Sequence, residues 1–158
     1  MKKTLIILIC FVLCAAVILT LGISLINVNK AKNAEQTAID AVFTEHLTKF
    51  AQSMISSEQT HSTDEITRYL TNAKVNIHTA ATLYELTSYA EKDTENLYTM
   101  LSSFEMLLNL GFLSKGVSED ILAGVLNLVY NAGTPEEMNA AAAEIVKLLG
   151  NVSQKPAL

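Results

Sequence analysis

The chain has 158 residues, half of them hydrophobic, with two cysteines, no tryptophan and a formal charge of −5. Setting aside Lys2 and Lys3, nine basic side chains remain against sixteen acidic ones, a balance of −7. Such a surface repels phosphate backbones, and no basic cluster interleaved with aromatics offsets it, so no nucleic-acid partner is expected.

The N-terminal run 4–26 holds twenty-three residues without a charge. At a helical rise of about 1.5 Å per residue it reaches about 34 Å, enough to cross the hydrocarbon core of a bilayer. It is longer than the apolar core of a signal peptide and no Ala-x-Ala follows, so an uncleaved anchor is expected. Cleavage after Thr20-Leu21-Gly22 or Gly22-Ile23-Ser24 is the alternative, and would give a secreted protein. Lys2 and Lys3 before the run, against Lys30 and Lys32 after it, slightly favour a cytoplasmic N-terminus and an extracytoplasmic C-terminal domain. Both cysteines, Cys10 and Cys14, lie within the run, which excludes a disulfide framework or zinc–cysteine site from the rest of the chain. They share a helix face with Gly22, but Ile18 interrupts that stripe, so they read as small apolar residues in lipid.

Beyond the run the pattern is helical throughout. No glycine or proline falls between Ile23 and Leu110, and alternating strand patterns are absent. The predicted fold is all-α: an N-terminal transmembrane helix continuing into an antiparallel bundle of about five helices. Residues 1–27 form the anchor, 28–150 the bundle and 151–158 a mobile tail.

The first soluble helix continues from the anchor. Ile39, Val42, Phe43, His46, Phe50 and Met54 mark its core stripe, and it fades near Ser56 into a polar loop over 56–61. Ser62-Thr63-Asp64-Glu65 fits a capping box, and Ile66, Leu70, Ala73, Ile77, Ala81 and Tyr84 form a bundle seam behind it. An unbroken helix from 64 to 110 would measure about 70 Å, far longer than its antiparallel neighbour. A break is therefore expected near Asp93 or Thr94, where the apolar pattern thins. Leu97, Met100, Leu101, Phe104, Leu107 and Leu108 build the next helix, which Gly111 stops in a left-handed cap with Phe112 packed behind it. Phe112 and Leu113 lead a short connector under the bundle. Ser118 caps a helix with Glu119 and Asp120 in its first turn and Ile121, Val125, Leu128 and Val129 inside, closed by Gly133. Thr134-Pro135-Glu136-Glu137 opens the last helix, with Met138, Ala141, Ala142, Ile145, Leu148 and Leu149 as its core stripe and Gly150 as its stop.

The chain carries no nucleophile elbow, no H-E-x-x-H, no dinucleotide or phosphate-binding glycine loop and no haem-attachment motif. The paired E-x-x-H repeat of di-iron bundles is missing too, since Glu58 to His61 is a single copy in a polar loop. Catalytic residues, metal ligands and cofactor-binding residues are accordingly expected to be none. His61 lies in a polar loop. His46 and His78 lie near facing seams, where two imidazoles could hold haem or metal, but antiparallel register sets them about a turn apart. Each is expected to be satisfied by a neighbour. The pairs Asp64–Glu65, Glu119–Asp120 and Glu136–Glu137 sit in first helical turns, where the helix dipole accounts for them. Tyr69, Tyr84, Tyr89, Tyr98 and Tyr130 are expected at core edges, and Asn151-Val152-Ser153 matches a glycosylation sequon. No shared motif carries a family resemblance.

The expected function is therefore that of a membrane-tethered, extracytoplasmic domain, anchored through residues 4–26. It would act without catalysis by binding a protein partner, as an accessory subunit, inhibitor or scaffold. The alternative is a helical bundle that binds a small molecule or cofactor around His46, His78 and the tyrosines.

Overall fold

The computed structural model describes the backbone of residues 2–92, 94–111, 113 and 117–153, and within these the side chains from 27 to 150. Among the described residues there are five α-helices and no strand: α1 (Lys2–Gln59), α2 (Thr63–Tyr84), α3 (Glu95–Asn109), α4 (Glu119–Tyr130) and α5 (Pro135–Ser153), with a short 3₁₀ turn at Ala90–Lys92. The chain divides into two compact units, Met1–Ala38 and Ile39–Leu158. The all-helical bundle expected from the sequence is present in the second. The anchor expected over 4–26, with Cys10 and Cys14, lies outside the residues whose side chains are described. Among the described residues no helix is long and apolar enough to cross a membrane.

The core of the second unit is one continuous cluster. Phe43, Leu47, Phe50, Ala51 and Met54 enter it from α1, Ala73, Ile77, Ala80 and Tyr84 from α2, and Leu97, Met100, Leu101, Phe104 and Leu107 from α3. Leu113 and Val117 follow from the connector, Ile121, Val125 and Leu128 from α4, and Met138, Ala142, Ile145 and Leu149 from α5. Phe50 meets Phe104 edge to face with centroids 4.9 Å apart, the geometry that ring quadrupoles favour. Helix pairs α2/α3, α3/α5 and α4/α5 approach most closely. Small residues permit this: Ala73 and Ala80 on α2, and on α4 Gly124, where an added Cβ would lie 2.9 Å from Ile145 Cγ1.

Threonine disfavours helix interiors, yet the helices are rich in it. Here the hydroxyls of Thr44, Thr48, Thr67, Thr71, Thr79 and Thr82 each donate to the carbonyl one turn earlier, so they do not compete with the helix ladder.

Several boundaries differ from expectation. Helix α1 runs to Gln59 rather than fading near Ser56, because Ser57 donates to the Met54 carbonyl at 2.7 Å and stays inside the helix. Its stripe is rotated: Val42 is 43% exposed, and Leu47 takes the buried place. The break exists and α3 starts directly after Thr94 as expected, but α2 ends ten residues before it, at Tyr84. Thr87 Oγ1 donates to the Tyr84 carbonyl at 2.6 Å and ends the helix there. Gly111 has φ +73, the left-handed cap expected of it, while Phe112 falls outside the described residues. Helix α4 ends at Tyr130, short of Gly133. Helix α5 passes through Gly150 to Ser153 and takes in the first residues of the expected tail; residues 154–158 lie outside the described ones.

Candidate interaction surface

The connector between α2 and α3 shows how this corner is fixed. Asp40 on α1 accepts the Ser88 backbone N–H at 2.8 Å and the Ser88 hydroxyl at 2.6 Å. Thr94, which is buried, donates its hydroxyl to the Tyr89 carbonyl at 2.7 Å, leaving Tyr84 to donate to Thr94 Oγ1 at 2.7 Å. Phe43 packs against both Tyr84 and Tyr89. Burial first, then the Asp40 charge, push the Tyr89 phenol above its ordinary pKa. Every polar group described in this corner therefore serves to fold the connector. Because the Thr94 hydroxyl turns back toward Tyr89, it does not cap α3, and the Leu97 N–H is shared between the Thr94 carbonyl at 3.0 Å and Asn139 of α5 at 3.1 Å.

Fixing this corner sets the outward faces of α2 and α3. The seam that buries Ala73, Ile77, Ala80 and Tyr84 leaves Val75 on the far side, 58% exposed, and Leu86 in the turn after α2 is equally exposed. On α3, Tyr98, Met106 and Leu110 are 46%, 51% and 64% exposed and recur at multiples of four. His78 Nδ1 reaches Glu105 Oε1 at 2.7 Å and ties the two helices together across this surface. Ser102, Glu105, Met106, Asn109 and Leu110 line a shallow hollow of about 350 Å³. Val75, Tyr98 and Met106 on these two helices, and Leu86 and Leu110 just past their ends, are thus exposed, with the His78–Glu105 contact joining the helices. Isolated exposed apolar residues need no explanation, but a grouped set marks a contact surface. This face was missed in the sequence because its members sit off the seam, where a lone Val or Leu reads as noise.

The residues singled out from the sequence are dispersed. His46 Nδ1 donates to Asn76 Oδ1 at 2.9 Å while His78 turns to Glu105, so the structure does not bring the two rings together. His61 is exposed in the loop before α2. Tyr84 and Tyr98 meet at a tilt with centroids 5.5 Å apart, Tyr69 lies under Arg68, and Tyr130 is largely exposed, so the five tyrosines line no common cavity.

Of the acidic pairs, Glu137 does what a capping residue should. Its Oε2 accepts the Gly133 and Thr134 N–H groups at 2.8 and 3.0 Å while Glu137 N donates to Thr134 Oγ1. Those two backbone donors hold its pKa below the ordinary value. Glu65 departs from the expected box: Ser62 Oγ accepts its N–H, but its carboxylate takes the Thr60 hydroxyl instead of the Ser62 N–H. Lys49 lowers the pKa of Glu45 through a 2.6 Å ion pair in solvent. Among the described residues no three His, Cys, Asp or Glu side chains are grouped to hold a metal ion.

Comparison with known protein families, with curated proteins and with solved structures finds no match to this chain.

Proposed function

We propose that the chain is a membrane-tethered, extracytoplasmic helical domain that acts without catalysis by binding a protein partner through the outward face of α2 and α3. As an accessory subunit, inhibitor or scaffold, it needs only a rigid surface. The observation that carries this reading is the grouping of Val75, Leu86, Tyr98, Met106 and Leu110 around the His78–Glu105 bridge. Interface centres are depleted in charge and enriched in Met and aromatic residues, and this face has that composition. The tether rests on the uncharged run 4–26, whose length suits a bilayer.

The test is site-specific photocrosslinking of the full chain in its native membrane, with the photoreactive residue at Met106 or, as a reference, at exposed Lys147 on α5. A discrete adduct from position 106, absent from 147 and lost on Leu110→Asp, is the expected result. Equal adducts from both positions, or an adduct indifferent to Leu110→Asp, would reject the α2–α3 face. Release of the chain from membranes by carbonate washing would reject the tether.

A further inference from the structure

Helix α1 and helix α2 meet along a strip that is polar on both sides. Lys49, Gln52 and Ser56 on α1 are spaced i, i+3, i+7, and Tyr69, Asn72 and Asn76 on α2 repeat the same spacing. Each triplet therefore occupies one helix face. Together they line a groove of about 330 Å³. At about 30 Å³ per water, that volume suits a ligand of about a dozen non-hydrogen atoms. Its floor is already satisfied, since Ser53 is buried and donates to the Lys49 carbonyl at 2.8 Å. One end is fixed by the His46–Asn76 hydrogen bond, and near the other Arg68 lies 5.0 Å over the Tyr69 ring and holds it.

The walls are different. Among the described residues, the side chains of Gln52, Ser56 and Asn72 and the Tyr69 hydroxyl make no hydrogen bond. Two amides and two hydroxyls offer donors and acceptors side by side. Lys49 supplies no free charge because Glu45 neutralises it at 2.6 Å. Lys49 is the one cation among the lining side chains and is already paired, Arg68 beside the groove lies over the Tyr69 ring, and none of the lining side chains is aliphatic. What matches is a small neutral molecule dense in hydroxyl groups, which amides recognise by pairing a donor and an acceptor with neighbouring hydroxyls.

We propose that the α1–α2 groove is a binding site for a single neutral sugar ring, held by Gln52, Ser56, Tyr69 and Asn72. This site is separate from the α2–α3 face, so Leu110→Asp leaves it intact and either proposal can fail alone. The experiment is an NMR titration of the full chain with methyl glucoside, N-acetylglucosamine and, as a charged comparison, glucuronate. The side-chain amide resonances of Gln52 and Asn72 are followed. Saturable shifts at millimolar concentrations of at least one neutral sugar are expected. Asn72→Ala, at an exposed position whose backbone carbonyl still serves Asn76, should weaken binding about tenfold with the unfolding midpoint unchanged. Asn131→Ala on α4 should change nothing. The proposal is overturned if neither neutral sugar shifts these amides, or if the shifts survive Asn72→Ala. Binding of glucuronate alone, lost on Lys49→Gln, would overturn it in favour of an anion site.

Discussion

Gly124 and Ile145 offer the sharpest test of how α4 and α5 pack. Alanine at 124 should stabilise a helix interior by about 0.5–1 kcal/mol through backbone entropy. The only atoms within 4 Å of the new methyl, however, are Ile145 Cγ1 at 2.9 Å and Cδ1 at 3.7 Å. Ile145 is fully buried and β-branched on a helix, so its χ1 cannot swing aside. Overpacking of this kind costs about 1–3 kcal/mol, and the clash should win: Gly124→Ala alone destabilises by about 0.5–2 kcal/mol. Ile145→Ala alone should cost about 2–5 kcal/mol as a cavity opens. In the Ile145→Ala background the obstructing atoms are gone, so Gly124→Ala should reverse sign and stabilise by about 0.5–1 kcal/mol. Urea unfolding of the full chain and its three variants, read by circular dichroism and tyrosine fluorescence, measures the cycle; the chain has five tyrosines and no tryptophan. If Gly124→Ala destabilises equally in both backgrounds, the close approach of α4 to α5 is not what makes glycine necessary there.

Three further outcomes follow from the polar contacts. Thr94→Val keeps the shape but removes the two bonds of the hydroxyl, while the Tyr84 hydroxyl keeps the residue-94 carbonyl and the Tyr89 carbonyl keeps the Lys92 N–H, and should cost about 0.5–1.5 kcal/mol in urea unfolding, whereas Thr99→Val, at an exposed position, should be near neutral. Asp40→Ala should release the connector, raising hydrogen exchange at the Ser88 amide well before α2 or α3 amides respond; unchanged exchange there would show that Asp40 does not pin it. Glu137 has its folded pKa below the ordinary 4.5, so its stabilisation is fully present above that value and is lost as pH falls through the lower folded value. Glu137→Gln should therefore flatten the acid limb of the stability profile at and below about pH 4.5, and a limb as steep as the parent's would count against the cap.

The helix starts were legible in the sequence because their determinants are local. Ser118 and Thr134 cap within three residues of themselves, and Gly111 needs only its own missing side chain to take φ +73. The core stripes of α2 to α5 were legible for a related reason: burial repeats with the helix turn. What stayed hidden depends on distant partners. The connector that follows α2 is held by the Tyr84 hydroxyl on Thr94, ten residues on, and by Asp40, forty-eight residues before Ser88. Gly150 misled as a stop because glycine permits a helix end without requiring one, and α4 ends three residues before Gly133. For the surfaces, spacing showed which residues leave the core but not that those of two helices gather on one side.

Two helices begin on donors that other helices satisfy. The Leu97 N–H at the start of α3 is met by Asn139 of α5, and the Val117 N–H before α4 by Glu58 at the end of α1. The Leu97 N–H also reaches the local Thr94 carbonyl at 3.0 Å, but its partner on α5, Asn139, is made forty-two residues later. At typical synthesis rates that delay is about 2–8 s, during which the apolar side of α3 is presented without its lid. A chain cut short after α4 never gains the Asn139 bond to that first turn, so loss of the last helix should be felt at residue 97 as well as at its own end.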